Sequence, residues 1–66
     1  MTLTLNGEPV ELPDGATIRD MLAHYGREDA GVAVAVNLDV VRREEFDSTT
    51  LQDGDRVDIV TAVGGG

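Results

Sequence analysis

Cysteine is absent from this 66-residue chain, which excludes a disulfide framework, a Cys-ligated zinc site and a Cys-ligated iron–sulfur cluster. Lysine is absent as well, since all five basic residues are arginines, and they face thirteen acidic ones for a formal net charge of −8. A surface of that sign repels phosphate backbones and anionic lipid headgroups, so neither nucleic acid nor a membrane is expected as a partner. A protein partner with a basic docking surface fits better, its charge serving the encounter rate more than the final affinity. No apolar run reaches transmembrane length, and Met1 to Leu5 lack the regions of a signal peptide, so a cytoplasmic setting is expected. A chain near this size buries only about 60% of the surface its unfolded form exposes. Its core is too small to enclose a deep catalytic pocket, and a carrier or binding module fits better than a self-sufficient enzyme.

What the chain does contain is regular alternation punctuated by turn residues. Met1, Leu3 and Leu5 alternate with Thr2 and Thr4, the mark of a half-buried strand. Asn6-Gly7 then supplies the two positive-φ positions of a type I′ hairpin turn. Glu8 to Leu12 is the expected return strand, with Val10 and Leu12 inward and Pro9 confining it to an edge. After Pro13-Asp14-Gly15, Thr17 and Asp20 have the spacing of a capping box. A helix is expected from Ile18, its apolar stripe formed by Ile18, Met21, Leu22 and Tyr25 and its end marked by Gly26. His24, the sole histidine, has no partner in the sequence for proton transfer and reads as a surface residue near the helix C-terminus.

Past a polar loop at 27–31, Val32 to Leu38 is almost continuously apolar and β-branched, as in a central strand covered on much of both faces. Val34 and Val36 are expected to point at the helix, and Ala33 and Ala35 away from it. Asn37 to Asp39 reads as a turn and Val40 to Arg43 as a shorter strand, with Arg42, Arg43, Glu44 and Glu45 as a solvated face. Asp53, Asp55 and Asp58 lack the spaced ligands and closing Glu of a calcium loop, so they read as turn chemistry. The last strand is expected over Arg56 to Val63, Val57 and Ile59 on one face, Asp58, Val60 and Ala62 on the other.

The chain ends on Gly64, Gly65 and Gly66. Without Cβ atoms such a tail can thread a narrow channel and let another enzyme's backbone approach closely, leaving the Gly66 carboxylate as the reactive group. A frayed end or an expression remnant is the competing reading. If that carboxylate is activated as an acyl adenylate, the absence of lysine removes self-acylation; a genome that favours arginine codons accounts for the same bias.

Hairpin, helix, long strand, short strand and final strand follow the order of a ubiquitin-like β-grasp. The expected architecture is α+β, a mixed sheet of four to five strands with one main helix on one face, residues 1–63 forming the domain and 64–66 a flexible tail. The first and last strands would pair in parallel at the centre. The outer face would then carry Ala33, Ala35, Val60 and Ala62 among polar residues such as Thr2 and Thr4, a flat docking patch or ordinary scattered apolarity.

Four stretches carry a resemblance: Val32-Ala-Val-Ala-Val-Asn37, Val41-Arg-Arg-Glu-Glu-Phe46, Leu51-Gln-Asp-Gly-Asp-Arg-Val57 and Gly65-Gly66. They resemble the ThiS family, the sulfur carriers of thiamine biosynthesis. The resemblance covers the whole chain, its C-terminal half being diagnostic, and it departs at Arg42, where the family often has Pro, and at Phe46, where it often has Trp. It implies no tightly bound cofactor and no catalytic residue of the chain's own. An E1-like adenylating enzyme of the ThiF type would use ATP and Mg to adenylate the Gly66 carboxylate, with Gly64 and Gly65 threading its active site. A sulfur donor such as a cysteine desulfurase would supply the sulfur of a C-terminal thiocarboxylate, and a thiazole synthase of the ThiG type would accept it. The alternatives are a sulfur carrier for molybdopterin or cysteine synthesis, which would share the diglycine end, and, from a different class, a non-catalytic β-grasp interaction or modifier protein.

Overall fold

A computed structural model describes residues 1–26 and 31–61. Strands β1 (Thr2–Leu5) and β2 (Glu8–Glu11) form the N-terminal hairpin, followed by helix α1 (Ile18–His24). Strands β3 (Val32–Val36) and β4 (Asp39–Val41), a single 3₁₀ turn (Arg43–Glu45) and β5 (Arg56–Thr61) complete the chain. The five strands lie in the order β2-β1-β5-β3-β4. β1 and β5 run parallel and the other neighbours antiparallel. This is the mixed sheet with one packed helix expected of a β-grasp.

Local rules account for most of the path. Asn6 and Gly7 adopt φ of 51° and 86°, the left-handed pair a type I′ turn demands. Pro9 lies on β2 at the sheet's edge. Thr17 Oγ1 accepts from the Asp20 amide at 3.2 Å and Asp20 Oδ2 from the Thr17 amide at 3.0 Å, completing the capping box. The next free amides are also satisfied: Ile18 N donates to the Thr49 carbonyl and Arg19 N to that of Phe46, both at 3.1 Å. A helix of seven residues is too short to persist alone. Ile18, Met21 and Leu22 hold it by packing against Leu3, Val34, Val57 and Ile59 in one buried cluster, each such side chain contributing about 1.5–3 kcal/mol on removal from water.

Several expectations are corrected. Tyr25 is not part of the buried stripe: it is the helix C-cap, 38% exposed, because the helix stops at His24 and Gly26 (φ 69°) turns the chain. The β-branched run ends at Val36 rather than Leu38, since Asn37 (φ 52°) and Leu38 (φ 73°) form a two-residue left-handed turn. Leu38 there is 71% exposed, although the left-handed region costs a non-glycine residue about 1–2 kcal/mol. β3 is fourth in the sheet and β5 is central; β3's alanines lie on a face that no described element covers.

The short strand is Asp39–Val41 and does not reach Arg43. The chain leaves the sheet at Arg42 (φ −73°), a value that proline would also supply, and the 3₁₀ turn then carries Phe46 into the core. Phe46 and Leu51 are both buried, and Leu51 N donates to the Ala16 carbonyl at 2.8 Å. The departure from Trp at position 46 therefore falls on a core residue, its ring under the Arg19 guanidinium at 6.0 Å. β2 ends at Glu11, one residue short of Leu12, whose amide still bonds the Met1 carbonyl at 3.0 Å. Residues 62 and 63, expected to close the final strand, lie outside the described residues, as does the boundary set at 63/64.

Candidate functional site

β5 is the element on which any use of the glycine tail depends. It is hydrogen-bonded on both sides, to β1 through Thr4↔Arg56 and Leu5↔Val57 and to β3 over five pairs from Val32↔Thr61 to Val36↔Val57. The chain passes from this central strand into residues 62–66. Gly64, Gly65 and Gly66, and Ala62 of the expected patch, lie outside the described residues.

Strand register settles the two faces. Val34 pairs with Ile59 and Leu3 with Val10 on the helix side. Ala33 pairs with Val60 on the other side, and Ala35 lies between Asp58 and Val40. The structure thus brings Ala33, Ala35 and Val60 together as expected, with Val60 65% exposed. It adds Val40, 78% exposed, which sequence reasoning left without a face. The signal was present: a two-residue Asn37-Leu38 turn sets Val36 opposite Asp39 and Val40 opposite Ala35. Reading the turn as three residues hid it.

Polar neighbours border this patch. Arg56 Nε and Asp58 Oδ2 pair at 3.0 Å along β5, an exposed contact of the kind that contributes little to stability. The other aspartates hold the turn before β5. Asp53 Oδ1 accepts from the Thr2 amide at 2.7 Å and Asp55 Oδ2 from the Gln52 amide at 2.8 Å. Asp55 Oδ1 accepts from Asn37 Nδ2 at 3.1 Å. These carboxylates serve the chain's own donors, as turn chemistry requires. His24 is exposed and meets Tyr25 edge-on, ring centroids 4.8 Å apart.

Shallow recesses among the described residues open to solvent. One of about 270 Å³ lies between Pro13-Asp14-Gly15 and the Asp20–His24 side of the helix. The other, about 320 Å³, lies at the end of the sheet where β1 stops, between Leu5, Asn6, Tyr25 and Ile59. The titratable side chains lining them are Asp14, Asp20 and His24 in the first and Glu8 and Tyr25 in the second. The face of the sheet away from α1 carries a cluster of small apolar side chains, Ala33, Ala35, Val40 and Val60, beside the Arg56–Asp58 pair.

The model of the ThiS family matches residues 3–66, nearly the whole chain and through its final glycine. The chain belongs to the ThiS family. The sulfur carrier protein ThiS of Bacillus subtilis is 40% identical over 65 residues, covering 97% of this chain and 98% of that protein. A crystal structure of the thiamine biosynthesis protein ThiS from Geobacter metallireducens superposes with a TM-score of 0.86 at 36% identity, covering both chains completely. A thiazole synthase of Paramagnetospirillum magneticum is 33% identical over all 66 residues, and this chain spans only 20% of that protein's length. Three of the relatives that match over nearly their full length are named as sulfur carrier proteins.

Proposed function

We propose that this ThiS-family chain carries sulfur for thiamine biosynthesis as a thiocarboxylate on Gly66. The observation that carries the reading is the family match running through residue 66, in a fold whose central strand, β5, is the last described element before that end. A ThiF-type E1-like enzyme would let the Gly66 carboxylate attack the α-phosphate of MgATP, forming an acyl adenylate and releasing pyrophosphate. The terminal sulfur of a persulfide, held by a cysteine desulfurase or a similar donor, would attack the carbonyl and expel AMP. A second thiol would cleave the resulting acyl disulfide, leaving the thiocarboxylate on Gly66 and a disulfide on the donor side. Sulfur delivery to a ThiG-type thiazole synthase is supported by the match of this whole chain within a protein of that name.

The chain's own contribution is access and docking. Adenylation needs an unhindered carboxylate, and Gly64 and Gly65 lack the Cβ atoms that would obstruct a recessed active site. Ala33, Ala35, Val40 and Val60, together with Ala62, would dock the adenylating enzyme, where small apolar residues allow close approach of a flat partner surface. Complete absence of lysine leaves no side-chain amine of this class to intercept the activated acyl group. Cofactors belong to the partner: MgATP is consumed there, in the cytoplasm. The test is ATP–pyrophosphate exchange catalysed by the adenylating enzyme. Deleting Gly66 should abolish exchange and leave Tm within about 1 °C, since the last residues of a domain generally contribute little to stability. Undiminished exchange would remove Gly66 from the chemistry.

A further inference from the structure

The parallel ladder between β1 and β5 is short. Thr4 N donates to the Asp55 carbonyl at 3.0 Å and Asn6 N to that of Val57 at 2.9 Å. In a parallel pair the next bond in series would run from the Ile59 amide to the backbone carbonyl of residue 6. That carbonyl is lost to the ladder, because Asn6 turns into the left-handed region (φ 51°) to start the β1–β2 hairpin. The Ile59 amide instead donates to the side-chain Oδ1 of Asn6 at 2.7 Å, across 53 residues of sequence. Asn6 therefore grips β5 twice, at 57 and at 59, on the side where β1 has already ended.

We propose that Asn6 is a positioning residue for the reactive terminus. Its side-chain amide replaces the missing strand carbonyl and fixes the direction of β5 two residues before the described chain ends at Thr61. The inference rests on the carrier reading above, for which the start of residues 62–66 must be held in one direction relative to the docked face. Asparagine is suited to both demands on the position, since it tolerates positive φ and carries an acceptor. Glycine would meet only the first, and aspartate would meet both.

The test uses the full chain with substitutions Asn6→Gly and Asn6→Asp. Amide hydrogen exchange should show Ile59 protected to the same degree as Val57 in the unsubstituted protein. It should be selectively exposed in Asn6→Gly and protected again in Asn6→Asp. β3 still pairs β5 through Thr61, so loss of the Asn6 bond loosens one side of the strand only, and KM for the chain as substrate of the adenylating enzyme should rise several-fold in Asn6→Gly. kcat at saturation should be unchanged, and Asn6→Asp should restore KM. A purely structural role would lower Tm without moving KM for the folded protein. If the Asn6→Gly variant fails to fold, Asn6→Ser, with a hydroxyl too short to reach the Ile59 amide, takes its place. Rapid exchange of Ile59 in the unsubstituted protein, or an unchanged KM in the variant lacking the acceptor, would overturn the proposal. Failure of the unsubstituted chain to be adenylated at all would instead reject the carrier reading, and the exchange measurement would still decide whether Asn6 clamps β5.

Discussion

The two faces of the sheet are built from the same kinds of residue and do opposite things. Within β5 alone, Val57 is fully buried beneath the helix and Val60 is 65% exposed. Only parity separates them, because a strand sends successive side chains to opposite faces. On the inner face, apolar surface is removed from water and holds the fold. On the outer face, Ala33, Ala35, Val40 and Val60 remain available, and their small size keeps the surface flat. Apolar residues in this chain are thus divided between burial and exposure by register, and chemical type does not distinguish the two; in the proposed function the exposed set serves recognition.

Substitutions that treat the faces alike test this division. Val57→Asp places a carboxylate in a site with no cationic partner among the described residues, a penalty of several kcal/mol. Small domains have only about 5–15 kcal/mol in total, so this variant should be largely unfolded by circular dichroism at 25 °C. Met21→Ala, on the helix surface that meets the same face, should cost about 2–5 kcal/mol through lost burial and a cavity, read from denaturant midpoints. Thr17→Ala removes one half of the capping box and should cost about 1 kcal/mol, with the loss appearing in the same denaturation assay. Val60→Asp should change stability by no more than about 0.5 kcal/mol, as expected for an exposed site, yet raise KM with the adenylating enzyme several-fold. A Val60→Asp protein as unstable as Val57→Asp would erase the distinction between the faces. One with unchanged KM would leave the outer face without a docking role.

Much of this division was legible before any coordinates, because it follows from local rules. The Asn6-Gly7 turn, the Thr17/Asp20 box and the alternation of Val57, Asp58, Ile59 and Val60 each depend on residues a few positions apart. What was not legible depends on distant partners. Phe46 and Leu51 enter the core from irregular chain with no periodicity to betray them, and their segment is placed by bonds to Ala16, Ile18 and Arg19. Leu38 gives no local reason to occupy a left-handed turn. Its neighbour Asn37 is held from across the sheet, where its amide donates to the Arg56 carbonyl at 2.7 Å and its side-chain oxygen accepts from the Arg56 amide at 3.0 Å. Tyr25 fits the helical stripe by spacing and still falls past the helix end. At the site, Ala33, Ala35 and Val60 were assigned correctly by parity. Val40 was missed through one misjudged turn residue, and the Asn6–Ile59 contact spans too much sequence for any pattern to reveal.

The central claim, that Gly66 carries sulfur, is tested most directly by intact mass spectrometry of the protein after incubation with MgATP, the E1-like enzyme and a persulfide donor. The account predicts a mass increase equal to replacing one oxygen by sulfur, mapped to Gly66 by fragmentation. An unchanged mass, with the same enzyme shown to be active on another carrier, would contradict it.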